Sequence, residues 1–237
     1  RAVEVTGIPA PGYTSAQAME ALERVANETL PADMSYSWNA MSFQEKKASG
    51  SLGAILVFSL VFVFLILAAQ YESWSLPLSI LLGTPFAIFG ALFFLWVSRF
   101  LSPSFENNIF AQVSFVMLIG MAAKNAILII EFANEEFAAG KDLFDAAMEA
   151  AKSRFRPILM TAFSFILGVL PLVVASGSGA EARKVMGMAL LGGMTIATLL
   201  GVFLYPMLFV FIGKIFGYEK QREKLMALEQ KSTENND

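Results

Sequence analysis

Residues 114–133 read SFVMLIGMAAKNAILIIEFA, and Lys124 interrupts an apolar stretch that otherwise runs from Ile109 to Ile130. A run of that length and polarity is a transmembrane helix, which needs roughly 20 apolar residues to cross roughly 30 Å of hydrocarbon. A charge in its middle costs from about 3 to more than 10 kcal/mol. Glu131, where the run ends, is about seven residues from Lys124, or roughly 10 Å along a helix. A lysine stem does not easily snorkel that far. The ammonium therefore needs a partner inside protein, and an ionisable group at that depth is a candidate functional residue.

Four more segments have the same character: Ser51–Gln70, Pro77–Ser98, Pro157–Ser176 and Val185–Gly213 carry no Asp, Glu, Lys or Arg. The fold class expected is a membrane all-α bundle of five spans, about 51–70, 77–98, 109–130, 157–176 and 185–213. Composition agrees. The chain has 237 residues, 56% hydrophobic and 16% charged, with a mean hydropathy of +0.60, whereas soluble domains are about a quarter charged. A net charge of −3 argues against nucleic acid as a partner. With no cysteine and no histidine, the common zinc sites, thiol catalysis and imidazole acid–base chemistry are excluded. The chain starts at Arg1 without a signal-peptide pattern and reads as a piece of a longer polypeptide.

Lysine and arginine orient the spans. One side holds the Tyr71–Leu76 turn, the Glu131–Arg156 connection and the tail after Gly213, with Lys141, Lys152, Arg154, Arg156, Lys214, Lys220, Arg222, Lys224 and Lys231. The opposite side has Arg99, Arg183 and Lys184, plus Lys46 and Lys47 before the first span. The richer side should be cytoplasmic. Residues 1–47 then face outward, 48–213 form the bundle, and 214–237 are a cytoplasmic tail whose polar end should fray. The outer segment reads as a small α+β unit. Ala2–Val5 suits a strand, and Thr14 with Gln17 suits a capping box opening a helix. Met34, Tyr36 and Trp38 alternate with Ser35, Ser37 and Asn39, as in a half-buried strand. The Glu131–Arg156 connection reads as a surface helix, acidic early and basic late.

The spans flanking that connection are antiparallel, which brings Lys124 and Thr161 to similar depth. Arg154 and Thr161 are seven apart and share a face if their helix begins before Pro157. Ser164 continues the stripe. Backbone hydrogen bonding by Thr161 and Ser164, headgroup contact by Arg154 and a purely structural ion pair at Lys124 are the plainer alternatives. No carboxylate of this chain lies at the depth of Lys124, so its acid should sit on helices outside the chain. A lysine facing buried acids responds to their protonation, because a neutralised acid no longer holds it. Small residues form two four-residue stripes, Ala189/Gly193/Ala197/Gly201 and Gly83/Ala87/Ala91, which allow close helix packing. Thr84–Pro85 should kink the second span. Tyr71, Trp74 and Trp96 suit the membrane interfaces. The methionines are scattered, filling apolar gaps as readily as binding soft metals; neither metal nor cofactor is expected.

The strings YSWNAMSFQE, AAQYESWSLP, GMAAKNAILIIEFAN, RFRPILMTAFSFILGVLPLVVASGSG and GMALLGGM resemble the C-terminal part of resistance-nodulation-division (RND) multidrug efflux transporters of the acriflavine-resistance type. The likeness runs from about Gly7 to Tyr218. It implies a proton antiporter rather than an enzyme, located in the bacterial inner membrane, with twelve transmembrane helices of which these are the last five. It also implies that residues 1–47 end a periplasmic porter subdomain. The family's proton relay joins two aspartates of the fourth helix, absent here, to a lysine of the tenth and an arginine and threonine of the eleventh, which match Lys124, Arg154 and Thr161. A homotrimer with a periplasmic adaptor, an outer-membrane channel and small amphiphilic substrates is implied likewise. An RND pump for metal ions or another substrate class, and a non-transporting scaffold or protein-export accessory, are the alternatives.

Overall fold

The computed structural model describes residues 3–7, 10, 13, 15–31, 33–49, 52–100, 105, 107–177 and 179–218. Two helices precede the apolar region: α1 (Ser15–Thr29) and α2 (Ala40–Ser49). Six follow: α3 (Leu52–Tyr71), α4 (Ser75–Leu81), α5 (Thr84–Ser98), α6 (Ile109–Ala138), α7 (Leu143–Val173) and α8 (Ala180–Ile215). With α4 and α5 taken together, they provide five spans long and apolar enough to cross a membrane. The membrane all-α expectation holds, each span lying where the sequence places one.

The α+β expectation for residues 1–47 is not met. Val3–Val5 and Met34–Asn39 are in no strand, and the described residues contain none. A strand exists only through pairing, and neither segment meets a partner here. The helix after the expected capping box does form as α1, although Thr14 itself lies outside the described residues. Met19 is buried, while Leu22, Val25 and Leu30 are exposed, leaving the apolar side of α1 open. Glu23 ties the segment together, accepting from Trp38 Nε1 at 2.7 Å and pairing with Lys46.

Two span ends differ from the sequence reading. Hydropathy stops at Glu131, but α6 continues to Ala138, and α7 begins at Leu143 rather than at Pro157. The Glu131–Arg156 connection is therefore not a separate surface helix. It is the joined ends of two spans, meeting at a turn where Gly140 has φ +105°, a conformation that a side chain resists. Burial explains the extension. Ala133, Phe137, Leu143, Ala146, Ala147 and Ala150 are buried in one cluster with Ile130 and Phe209, so an amphipathic face goes on packing after the all-apolar stretch ends. Pro157 consequently sits inside α7 instead of in its first turn. The α4–α5 break falls at Leu82 and Gly83, just before the expected Thr84–Pro85 kink, with Pro85 in the first turn of α5. At its far end, α8 runs two residues past Gly213, the expected limit of the bundle. Residues 219–237 lie outside the described residues.

Helix α8 packs against α4, α5, α6 and α7. Its small-residue stripe is buried, with Ala189 at 0% and Ala197 at 2% exposure, as are Ala87 and Ala91 facing it at 0%. The closest approach between α5 and α8 is at Gly90 and Gly192: a Cβ on Gly90 would lie 2.8 Å from the Gly192 carbonyl oxygen. Helix α3 is the least buried of the spans and touches α4 and α6.

Candidate functional site

Asn108 starts α6, its side chain accepting from the amides of Phe110 and Ala111, which satisfies two of the unpaired donors at a helix start. From there α6 is the most buried of the spans. Ala122, Ala123, Asn125 and Ala126 are all buried, while Lys124 among them is exposed. Val113, Met117, Gly120, Lys124 and Glu131 are the exposed positions between residues 111 and 133. Spaced three, four and seven apart, they form one open stripe along an otherwise covered helix. Lys124 is the cation of that stripe, halfway along α6.

Because α7 begins at Leu143, Arg154 and Thr161 do lie on one helix face. Arg154 is half-buried. Its Nε is fully buried and has no hydrogen-bond partner, and its guanidinium carbon stands 4.5 Å from the centre of the Phe132 ring on α6. The Thr161 hydroxyl donates to Ile158 O at 3.1 Å, and Ser164, exposed, donates to Met160 O at 2.8 Å. Both therefore adopt the backbone bonding weighed as the plainer alternative. Among the described residues, no hydrogen bond, ion pair or ring contact joins Lys124, Arg154 and Thr161 to one another.

Two features were not foreseen in the sequence. One is Phe132, whose ring receives Arg154; no spacing rule links residues of separate helices, so nothing flagged it. The other is Tyr205, 1% exposed, whose hydroxyl donates to the carbonyl of Ala122, two residues before Lys124. A tyrosine deep in an apolar span requires such an acceptor, and that demand was the available signal. Among the described residues, no group of three or more acids, histidines or cysteines could hold a metal ion.

Residues 1–213 match the AcrB/AcrD/AcrF family. The toluene efflux pump membrane transporter TtgB of Pseudomonas putida is 46% identical over 223 residues, covering 94% of this chain and 21% of that protein. The multidrug export protein AcrF of Escherichia coli (strain K12) is 43% identical over 215 residues, 90% of this chain and 20% of its own length. The multidrug resistance protein MdtF of the same Escherichia coli strain is 42% identical over 220 residues, 92% and 21% respectively. This chain thus spans about a fifth of the length of the curated relatives it matches. With a match over nearly its whole length and five helices suited to a membrane, it is part of a multi-pass membrane protein and belongs to the AcrB/AcrD/AcrF family.

Proposed function

We propose that this chain is the C-terminal portion of a proton-driven inner-membrane pump exporting drugs and other amphiphilic compounds by proton antiport. Its spans are the last five of twelve. Residues 1–47 belong to the periplasmic side and the tail after Gly213 to the cytoplasm. The complete protein works as a homotrimer with a periplasmic adaptor and an outer-membrane channel. The names of the relatives, which are efflux and export transporters, support this reading, as does the distribution of lysine and arginine.

The observation that carries it is Lys124, a cation in the open stripe of the most buried span. In hydrocarbon that position is costly, so the stripe is where helices outside this chain dock, bringing their carboxylates to the ammonium. Ionised, an acid holds Lys124; once protonated it releases it. The two arrangements of α6 that result couple proton passage to helix movement. Arg154 and Thr161 stand across the α6–α7 contact in the same relay.

The test is Lys124→Ala in the complete transporter, with drug efflux measured per membrane-inserted molecule. Loss of efflux at normal insertion is expected. Near-normal efflux per molecule would overturn the relay role of Lys124, and a parallel fall in inserted protein and efflux would make the lysine structural.

A further inference from the structure

Arg154 lies against an aromatic ring rather than an acid. Its guanidinium carbon is 4.5 Å from the Phe132 ring centre, its Nε is buried without a hydrogen bond, and no described carboxylate pairs with it. A guanidinium over an aromatic face is held by the ring quadrupole, and more strongly where water is excluded. The plane of the group is thereby fixed while its N–H donors are left unspent. A carboxylate in place of Phe132 would fix the group too, but would consume those donors and neutralise its charge.

We infer that Phe132 is the positioning residue of Arg154: its ring seats the guanidinium at the α6–α7 contact and leaves it charged and undischarged for an anionic group brought by helices outside this chain. This rests on the relay reading of Arg154. It also gives α6 a second role. Phe132 lies two turns beyond Lys124 on the same unbroken helix, so movement of α6 carries both the lysine and the seat of the arginine.

The experiment uses the complete transporter with Phe132→Leu, Phe132→Tyr and Arg154→Ala, reading drug efflux per membrane-inserted molecule. Phe132→Leu keeps an apolar side chain but removes the ring face; efflux should fall about fivefold, the scale of a lost desolvated cation–π contact. Phe132→Tyr keeps the face and should restore efflux to within about twofold of wild type. Wild-type efflux in Phe132→Leu beside an inactive Arg154→Ala would overturn the positioning role and leave the relay reading standing. An equal fall in the leucine and tyrosine variants would overturn it too, since the ring face would then not be what matters. Normal efflux in Arg154→Ala would remove the relay reading of Arg154 and the seat with it. If Phe132→Leu inserts too poorly to assay, Phe132→Met removes the ring at similar volume, and the same outcomes decide.

Discussion

The hydroxyl of Tyr205 on α8 donates to the carbonyl of Ala122 on α6 at 3.3 Å, while the edge of its ring fills the space beside Gly83, at the break between α4 and α5. One side chain thus touches three elements: the turn of α6 that carries Lys124, the α4–α5 break, and α8 just before Pro206. Glycine at 83 is what admits it, since a Cβ there would stand 2.1 Å from Tyr205 Cε1.

Gly83→Ala should therefore destabilise the bundle by about 1–3 kcal/mol, the usual cost of overpacking a filled core. Tyr205→Leu in the same molecule should recover part of that loss, because the clashing ring atoms are gone. Thermal unfolding of the detergent-solubilised complete protein provides the measurement. An alanine variant as stable as wild type would show that the ring can withdraw freely.

At the Gly90–Gly192 crossing the neighbour is backbone, which cannot swing away. A Cβ on Gly192 would lie 2.3 Å from Phe94 Cβ and 2.8 Å from the Gly90 carbonyl oxygen. Gly192→Val should force α5 and α8 apart and lower the amount of inserted protein more than Gly168→Val, since nothing stands within 4 Å of a Cβ at Gly168. Equal inserted amounts in quantitative membrane blots would contradict this.

Lys141, in the α6–α7 turn, pairs with Glu136 at 2.7 Å and with Glu149 at 3.5 Å. Its hydrogen bond to Glu136 raises its pKa above the ordinary lysine value, with the charges of Glu136 and Glu149 adding to that. A raised lysine pKa means that the stabilisation is fully present below the unfolded value and fades only as pH climbs through the folded one. Stability from these pairs should be flat between about pH 6 and pH 8 and weakened by salt, because the groups are exposed. Lys141→Ala should leave efflux unchanged at neutral pH; a several-fold loss of transport per molecule would assign the turn a part in the cycle.

Orientation is testable with single cysteines at Ser35 and Ser232, the chain having no native cysteine. In intact cells an impermeant thiol reagent that has crossed the outer membrane should label position 35 and not 232. Labelling at 232 from outside would reverse the topology.

The apolar parts of the fold could be read closely because hydropathy measures the requirement that a membrane imposes. It could not place the α6 and α7 ends. Past Glu131 and before Pro157 these helices are held by one-sided packing of Ala133, Phe137, Leu143 and Ala146, and polar residues on the other side hide that continuity from a hydropathy count. Pro157 misled for a related reason, since a first-turn proline and a mid-helix proline look alike in sequence. The outer strands were read from alternation alone, which specifies a face but not a partner. At the candidate site, Lys124 stood out by the cost of its charge and Arg154 by its spacing to Thr161. Phe132 carries no such mark, since aromatic residues are common near span ends.

Helix α6 runs unbroken over 30 residues, which makes it a rod about 45 Å long with Lys124 near its midpoint. Leverage follows from that placement. A tilt of about 5° pivoting at Lys124 would displace either tip by about 2 Å, given arms of about 21 Å. Because the inner tip ends in the Gly140 turn, which hands the displacement to α7, an event at one buried ammonium would be legible as a swing of the whole hairpin tip.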